Sequence, residues 1–166
     1  LEVISLFEGV KDPVKENAFS LLEGVKGRQL QPSTNRPASR LVLGTAQLGM
    51  PYGIMNKTGQ PSKQVAAALI KTAIVNGVDF IDTARAYGDS EAAIRHAMSN
   101  GWHGRARIVS KLDPLIHIPA QVDKTICHSF VDASLFKSLN TLGVQQIDTL
   151  LLHRAEHLES CDGQFW

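Results

Sequence analysis

The chain has 166 residues, of which 43% are apolar, so it is long enough to bury one hydrophobic core but too short for two large ones. Seventeen basic and sixteen acidic residues leave a formal charge of +1, with no long run of either sign. This pattern argues against nucleic acid as a partner, and no apolar stretch approaches the roughly 20 residues of a membrane-spanning helix. The two cysteines, Cys127 and Cys161, form neither a CxxC pair nor a disulfide framework, which favours a cytoplasmic location.

Residues 1–38 are predicted to form an N-terminal helical extension and a linker. Asp12 and Pro13 are typical of a helix start, apolar residues follow at helical spacing, and the helix is expected to end near Gly27. The stretch from Gln29 to Ser39 is polar and contains two prolines, which is typical of a linker. The sequence therefore predicts a domain boundary near residue 38, with a second domain over residues 39–166.

Beyond the linker, short apolar runs alternate with longer segments of helical periodicity, which predicts an α/β fold with a parallel sheet. The predicted strands are Leu41–Thr45, Val78–Ala84, Arg107–Leu112 and Ile147–His153. The predicted helices are Ser62–Asn76, about Asp89–Asn100 and about Gln121–Leu142, and each is followed by a glycine, which commonly ends a helix.

The strand starts recur at intervals of roughly 35 residues, and eight such units would approach the usual size of a (β/α)8 barrel. Four strands with their helices are present, so we expect a partial (β/α)8 TIM barrel containing strands one to four. A small doubly wound sheet would show the same periodicity and stays open as an alternative. Half a barrel would leave two open sheet edges and an apolar inner face, which favours dimerisation or poor solubility.

Four ionisable side chains lie at or just beyond the predicted carboxyl ends of three consecutive strands, where barrel enzymes build their active sites. They are Asp82, Tyr87, Lys111 and His153. A tyrosine releases its proton reluctantly near neutral pH, and a neighbouring ammonium group favours the phenolate. A carboxylate keeps a partly buried lysine charged, and a histidine can donate a hydrogen bond to a carbonyl oxygen. The set is therefore suited to carbonyl reduction, with Tyr87 as the general acid.

Three of these residues also have a structural interpretation. Asp82 and Lys111 alone could form a stabilising ion pair, and an isolated His153 would more often be a core residue. The presence of all four side chains in order favours catalysis. His153 and His157 are four residues apart, but His153 ends a predicted strand and no HExxH motif accompanies it, so no metal site is predicted.

The segments GVDFIDTARAYGDSE, IVSKL and LLLHR, preceded by LGTAQLGMPYG, resemble the aldo-keto reductase family over about residues 40 to 158. The resemblance implies an oxidoreductase that reduces a small-molecule aldehyde or ketone with NADPH, with NADH as the open alternative. It also implies catalytic roles: Tyr87 donates the proton, Lys111 tunes it, Asp82 pairs with the lysine and His153 directs the carbonyl.

The resemblance further implies that Gly44, Thr45 and Asp82 border the nicotinamide and its ribose, and that Gln47 and Tyr52 border the substrate. In the family, the groups that clamp the cofactor's pyrophosphate come mainly from strands five to eight, which this sequence does not contain. We therefore expect the chain to be an incomplete, inactive part of an active parent. A nucleotide-sensing regulatory or scaffolding subunit, joined to its partner through residues 1–38, is the second hypothesis.

Overall fold

The computed structural model describes residues 2–4, 39–119, 122–159 and 163. Its strands form one sheet in which neighbours along the chain are also neighbours in space, and every pairing is parallel. The strands are β1 (Glu2–Ile4), β2 (Leu41–Gly44), β3 (Phe80–Asp82), β4 (Arg107–Lys111) and β5 (Thr149–Leu151). Sequential order without a reversal is typical of a (β/α)8 barrel, whereas a doubly wound sheet reverses its order at a switch point. The predicted partial barrel is confirmed, and the doubly wound alternative is wrong.

Within the described residues, four helices and one 3-10 turn connect or follow these strands. They are α1 (Ala46–Gly49), α2 (Lys63–Val75), α3 (Ser90–Met98), α4 (Lys124–Leu142) and the turn Ala155–Leu158. The hydroxyl of Ser62 accepts a hydrogen bond from the backbone N–H of Val65, so Ser62 is the predicted N-cap of α2. Gly143 ends α4 with a φ of +70°, a left-handed conformation that glycine adopts without strain.

The strands are shorter than predicted, and β3 and β5 are shortened at both ends: Phe80–Asp82 instead of Val78–Ala84, and Thr149–Leu151 instead of Ile147–His153. Their backbones nevertheless continue to pair across the sheet beyond the strand ends. The N–H of Thr83 donates to the carbonyl of Val109 at 2.8 Å, and the N–H of Leu112 donates to that of Leu151 at 2.8 Å. These bonds anchor the start of each loop to the neighbouring strand.

The core lies between one face of the sheet and helices α2, α3 and α4. Leu43, Ile81 and Ile108 occupy the same level on three adjacent strands, and all three are buried. They pack in one cluster with helix residues that include Ile70, Ile74, Ala93, Ile94, Ala97, Met98 and Leu142. This apolar layer holds the strands in register, and it thereby fixes the positions at which their carboxyl ends present polar side chains.

The opposite face of the sheet is only partly covered within the described residues. Phe80 and Val109 alternate with buried positions, and Leu151, which follows the half-buried Leu150, is 41% exposed. Alternation of this kind follows from the pleat, which turns successive side chains to opposite faces. In a closed barrel this second face would be the interior.

The two edge strands of the described sheet are β1 and β5. β1, which the sequence did not predict, pairs in parallel with β2 through the register Val3 to Val42, so the outer edge of β2 is covered. Among the described residues, β5 has no strand on its outer side. The predicted helix that ends near Gly27 lies outside the described residues, and the boundary near residue 38 stays a prediction. None of the described helices combines the length and apolar character needed to cross a bilayer.

Candidate active site

The centre of the site is an ion pair between Asp82 at the end of β3 and Lys111 at the end of β4. The ammonium nitrogen Nζ of Lys111 donates to both carboxylate oxygens of Asp82, at 2.7 and 2.8 Å. It also donates to the backbone carbonyl of Thr83 at 3.1 Å, so all three of its donors have partners. The side chains of Lys111 and Asp82 are 17% and 20% exposed. A partly buried charge of this kind is stabilised because it is both paired and hydrogen-bonded.

Tyr87 lies in the loop after β3 and faces this ion pair. The Nζ atom of Lys111 lies 5.1 Å from the centroid of the Tyr87 ring, which is within the range of a cation–π contact. The ring of His153 meets the ring of Tyr87 edge-on, with the centroids 5.9 Å apart and the planes at 75°. The structure therefore brings Asp82, Tyr87, Lys111 and His153 together at one edge of the sheet.

His153 lies two residues beyond the end of β5 and is partly buried. Burial lowers the pKa of its imidazole below the ordinary value of 6.5, and the positive charge of Lys111 lowers this pKa further. The ring is therefore neutral near neutral pH. Its Nδ1 atom is buried and has no hydrogen-bond partner within the described part of the chain, so this polar atom is available to a group that completes the site.

Two glycines allow the Tyr87 loop to approach α1. A Cβ atom at Gly49 would lie 1.8 Å from the carbonyl oxygen of Tyr87, and one at Gly88 would lie 2.4 Å from the carbonyl oxygen of Gly49. Gly88 also has a φ of +54°, which disfavours other residues. The N–H of Asp89 donates to the carbonyl of Gly49 at 3.0 Å and fastens the contact.

A chain of buried hydroxyl groups joins the ends of β2 and β3 to the start of α3. The hydroxyl of Thr45 donates to the backbone carbonyl of Asp82 at 2.8 Å, and the hydroxyl of Ser90 lies 2.7 Å from that of Thr45. Thr83 completes the chain at 3.0 Å from Ser90, and all three residues are fully buried. The hydroxyl of Thr45, which was predicted to border a cofactor, is thus engaged inside the protein. Gly44, the residue before Thr45, pairs with Asp82 across the sheet.

A second buried network was not predicted and involves Glu91 on α3. Glu91 is 1% exposed and forms an ion pair with Arg85, and it accepts a hydrogen bond from the hydroxyl of Ser110 at 3.2 Å. Ser90 and Glu91 both belong to the D-T-x-x-x-Y-G-x-S-E string that the sequence shows. That string was the available signal, but the spacing of residues does not reveal that a carboxylate is buried.

The loop after α1 carries the two residues predicted to border a substrate. Tyr52 is 54% exposed, and its backbone carbonyl accepts a hydrogen bond from the side-chain amide of Asn56 at 3.1 Å. The side chain of Gln47 lies beneath the turn at Gly53, where a Cβ atom would be 2.9 Å from its Nε2. Their roles toward a substrate stay predictions.

His157 has a structural setting in this chain. Its Nε2 atom lies 2.8 Å from the backbone carbonyl of Pro114, and the residue is 4% exposed. Across the described ranges, no three His, Cys, Asp or Glu side chains are grouped so that they could hold a metal ion.

Comparison with known protein families gives the family of the chain. Residues 40–163 match the profile of the aldo/keto reductase family. The chain belongs to the aldo/keto reductase family. The match spans all four strands β2 to β5 and every member of the Asp82, Tyr87, Lys111 and His153 cluster. A comparison with curated proteins gave no significant match.

Solved structures of aldo-keto reductases resemble the larger part of the chain. PA4992 from Pseudomonas aeruginosa, described as an aldo-keto reductase, is 27% identical with a TM-score of 0.59, and the match covers 79% of this chain and 50% of that one. A thermostable aldo-keto reductase, Tm1743, solved with the inhibitor epalrestat, is 29% identical with a TM-score of 0.53, covering 73% and 40% of the two chains. The chain therefore spans half or less of the length of these two solved structures.

Proposed function

We propose that the chain is the N-terminal half of an NAD(P)H-dependent reductase that converts an aldehyde or ketone to an alcohol, and that this half contributes the general acid. The observation that carries the proposal is the position of Lys111. Its ammonium group is held by both oxygens of Asp82 and, in the same conformation, lies against the ring of Tyr87. A tyrosine beside a fixed positive charge is a better proton donor than one in water, because the charge stabilises the phenolate that remains.

The reaction needs a hydride for the carbonyl carbon and a proton for the carbonyl oxygen. When bound, the reduced nicotinamide supplies the hydride. Tyr87 would donate its phenolic proton to the oxygen, and Lys111 would stabilise the resulting phenolate. Asp82 would hold Lys111 in place, since both of its carboxylate oxygens accept hydrogen bonds from the ammonium group in a partly buried site.

His153 would orient the carbonyl group before proton transfer. A neutral imidazole carries one N–H donor and one acceptor nitrogen, so it can hydrogen-bond to the carbonyl oxygen without competing with Tyr87 as the acid. The lowered pKa of His153 and its edge-on contact with Tyr87 support this role.

The residues present fit one side of a nicotinamide site. Gly44 ends β2 and pairs with Asp82, and because it is a glycine it places no side chain of its own in the way of a flat ring and its ribose. Thr45 would contribute by fixing this turn, because its hydroxyl is already bonded to Asp82 and Ser90. We propose NADPH as the cofactor, with NADH as the alternative that direct binding would distinguish.

The proposal is tested with the full-length protein and a panel of aldehydes and ketones, by following the loss of nicotinamide absorbance with NADPH and with NADH. We expect carbonyl-dependent oxidation of the cofactor, and Lys111→Met should lower kcat by about 10²- to 10⁴-fold, the usual contribution of acid catalysis. Lys71→Met is the matched control, because Lys71 also lies over an aromatic ring, that of Trp102, but on α2.

Two outcomes would contradict the proposal. In the first, the protein binds NADPH but no carbonyl compound increases its oxidation, which would favour a nucleotide-sensing role. In the second, Lys111→Met and Lys71→Met reduce turnover to the same small extent, which would show that Lys111 has no special part in the reaction.

A further inference from the structure

The carboxylate of Glu91 connects the two elements that carry Tyr87 and Lys111. Glu91 is the second residue of α3, and its side chain is 1% exposed. Its Oε1 atom accepts a hydrogen bond from the hydroxyl of Ser110 at 3.2 Å, and its Oε2 atom forms an ion pair with Arg85. Ser110 immediately precedes Lys111 on β4, and Arg85 lies two residues before Tyr87 in the loop.

Arg85 extends this connection to two further elements. Its guanidinium NH1 also donates to the hydroxyl of Thr141 on α4 at 3.3 Å, and its backbone N–H donates to the carbonyl of Lys111 at 3.4 Å. The Arg85 side chain is 16% exposed, so its charge is largely withdrawn from water. The loop is therefore held against β4 by its main chain and against α3 and α4 by this side chain.

We infer that Glu91 is a positioning residue that sets the distance between Tyr87 and Lys111. The inference rests on the proposed function, because it assigns Glu91 a part in proton transfer without contact with substrate or cofactor. A buried carboxylate is stable only when it is paired and hydrogen-bonded. The loop therefore cannot shift relative to α3 without leaving the charges of Glu91 and Arg85 unpaired. Because Glu91 also accepts the hydrogen bond from Ser110 on β4, the same carboxylate fixes where the phenol lies relative to Lys111.

Glu91→Gln separates this role from simple packing, because glutamine keeps the size of the side chain and an acceptor for Ser110 but removes the charge that holds Arg85. A displacement of about 1 Å can cost about 10²-fold in rate. We expect kcat of the full-length protein to fall by about 10- to 100-fold, while KM for the carbonyl substrate and Kd for NADPH change by less than about 2-fold.

Arg85→Met breaks the same ion pair from its other end and serves if Glu91→Gln does not fold. Since one ion pair can be removed only once, the double variant should be no slower than the slower single variant. Losses in kcat that multiply in the double variant, or an unchanged kcat in Glu91→Gln, would overturn the inference.

Ile70→Val controls for a general loss of stability, because Ile70 lies on α2, is fully buried in the apolar core and is not a member of the ion pair. The variants are compared at temperatures equally far below their melting points. We expect Ile70→Val to retain the parent kcat. An equal loss of kcat in Ile70→Val and Glu91→Gln would show that Glu91 acts only through stability.

A measurement that does not depend on activity distinguishes failure of this inference from failure of the proposed function. The protein is labelled with fluorotyrosine, and the fluorine resonance of Tyr87 is assigned with Tyr87→Phe. We expect this resonance to shift or broaden in Glu91→Gln and Arg85→Met but not in Ile70→Val. An unchanged resonance would overturn the positioning role. If the resonance is displaced but the parent protein reduces no carbonyl compound, the positioning role of Glu91 would be supported and the proposed reaction would be contradicted.

Discussion

At the scale of single residues, Lys111 determines the character of the site. Its three donors are occupied by two oxygens of Asp82 and one of Thr83, so the ammonium group is fixed rather than free to rotate through solvent. A fixed charge favours a developing phenolate without the cost of reorganising around it during the reaction. Arginine would not reproduce this geometry, because its N–H donors lie in one plane on three nitrogens, whereas the three donors of Lys111 radiate from a single nitrogen.

His153 gives a pH dependence whose sign follows from its burial. Its pKa in the folded chain lies below the ordinary value of 6.5, so the unfolded state binds more protons between the two values. The stability linked to His153 is therefore complete above about pH 6.5 and is lost as the pH falls below that value.

We expect His153→Gln to reduce the loss of unfolding free energy that the parent shows between about pH 7 and about pH 5. Denaturant unfolding at several pH values measures this difference. At about pH 8 the histidine is neutral in both states, so any difference in stability there arises only from packing of the imidazole ring that glutamine does not reproduce. Parallel curves for parent and variant down to about pH 5 would contradict the lowered pKa.

The sequence identified the four clustered side chains but not what surrounds them. Asp82 and Lys111 were predictable because a charged residue at the end of an apolar strand requires a partner. Glu91 was not, because whether a carboxylate at the start of a helix is exposed or buried depends on tertiary packing. Thr45 shows the same limit, since its hydroxyl bonds across the sheet to a carbonyl that lies far away in sequence.

At the scale of elements, the docking of the Tyr87 loop on α1 depends on the absence of one side chain. Gly49 has an ordinary backbone conformation, so alanine would suffer there only from lack of space. That lack is severe, because its Cβ atom would lie 1.8 Å from the carbonyl oxygen of Tyr87 and 2.3 Å from the backbone nitrogen of Ser90. Both neighbours are backbone atoms, which cannot rotate away.

We expect Gly49→Ala to destabilise the fold by about 3 kcal/mol, at the upper end of the usual cost of overpacking, and to reduce turnover by displacing Tyr87. Thermal unfolding and kcat measure the two effects. Gly59→Ala is the control, because Gly59 has a φ of +74° but no atom within 4 Å of the added methyl group. Alanine at position 59 meets only backbone strain and alanine at position 49 meets only lack of space, so an equal loss of turnover in the two variants would contradict the contact with the Tyr87 loop as the cause.

Helices were predicted better than strands, for a physical reason. Ser62 and Gly143 act through local hydrogen bonds and backbone conformation, which a short stretch of sequence specifies. Strand ends depend on where a neighbouring strand stops pairing, so the prediction for β3 ran from Val78 to Ala84 while the strand is Phe80–Asp82. β1 was missed because three residues carry too little pattern to reveal a strand.

At the scale of the whole molecule, the described sheet is one continuous layer with helices on one face. Its other face carries partly exposed apolar side chains such as Phe80 and Val109, together with the Asp82 and Lys111 pair. Strand periodicity predicted this architecture because each unit repeats the same strand and helix. It did not predict that β1 would cover the edge of β2, and the expected dimerisation of an isolated half barrel stays a prediction.

The proposed reaction depends most directly on the phenolic hydroxyl of Tyr87. Tyr87→Phe removes this hydroxyl and keeps the ring that contacts Lys111 and His153. The decisive measurement is the carbonyl reductase rate of the full-length variant, combined with the affinity for NADPH from fluorescence titration. We predict that turnover falls by at least about 10²-fold and that the affinity for NADPH changes little, because the hydroxyl acts on the substrate. A variant that reduces carbonyl compounds at the parent rate would contradict the assignment of Tyr87 as the acid.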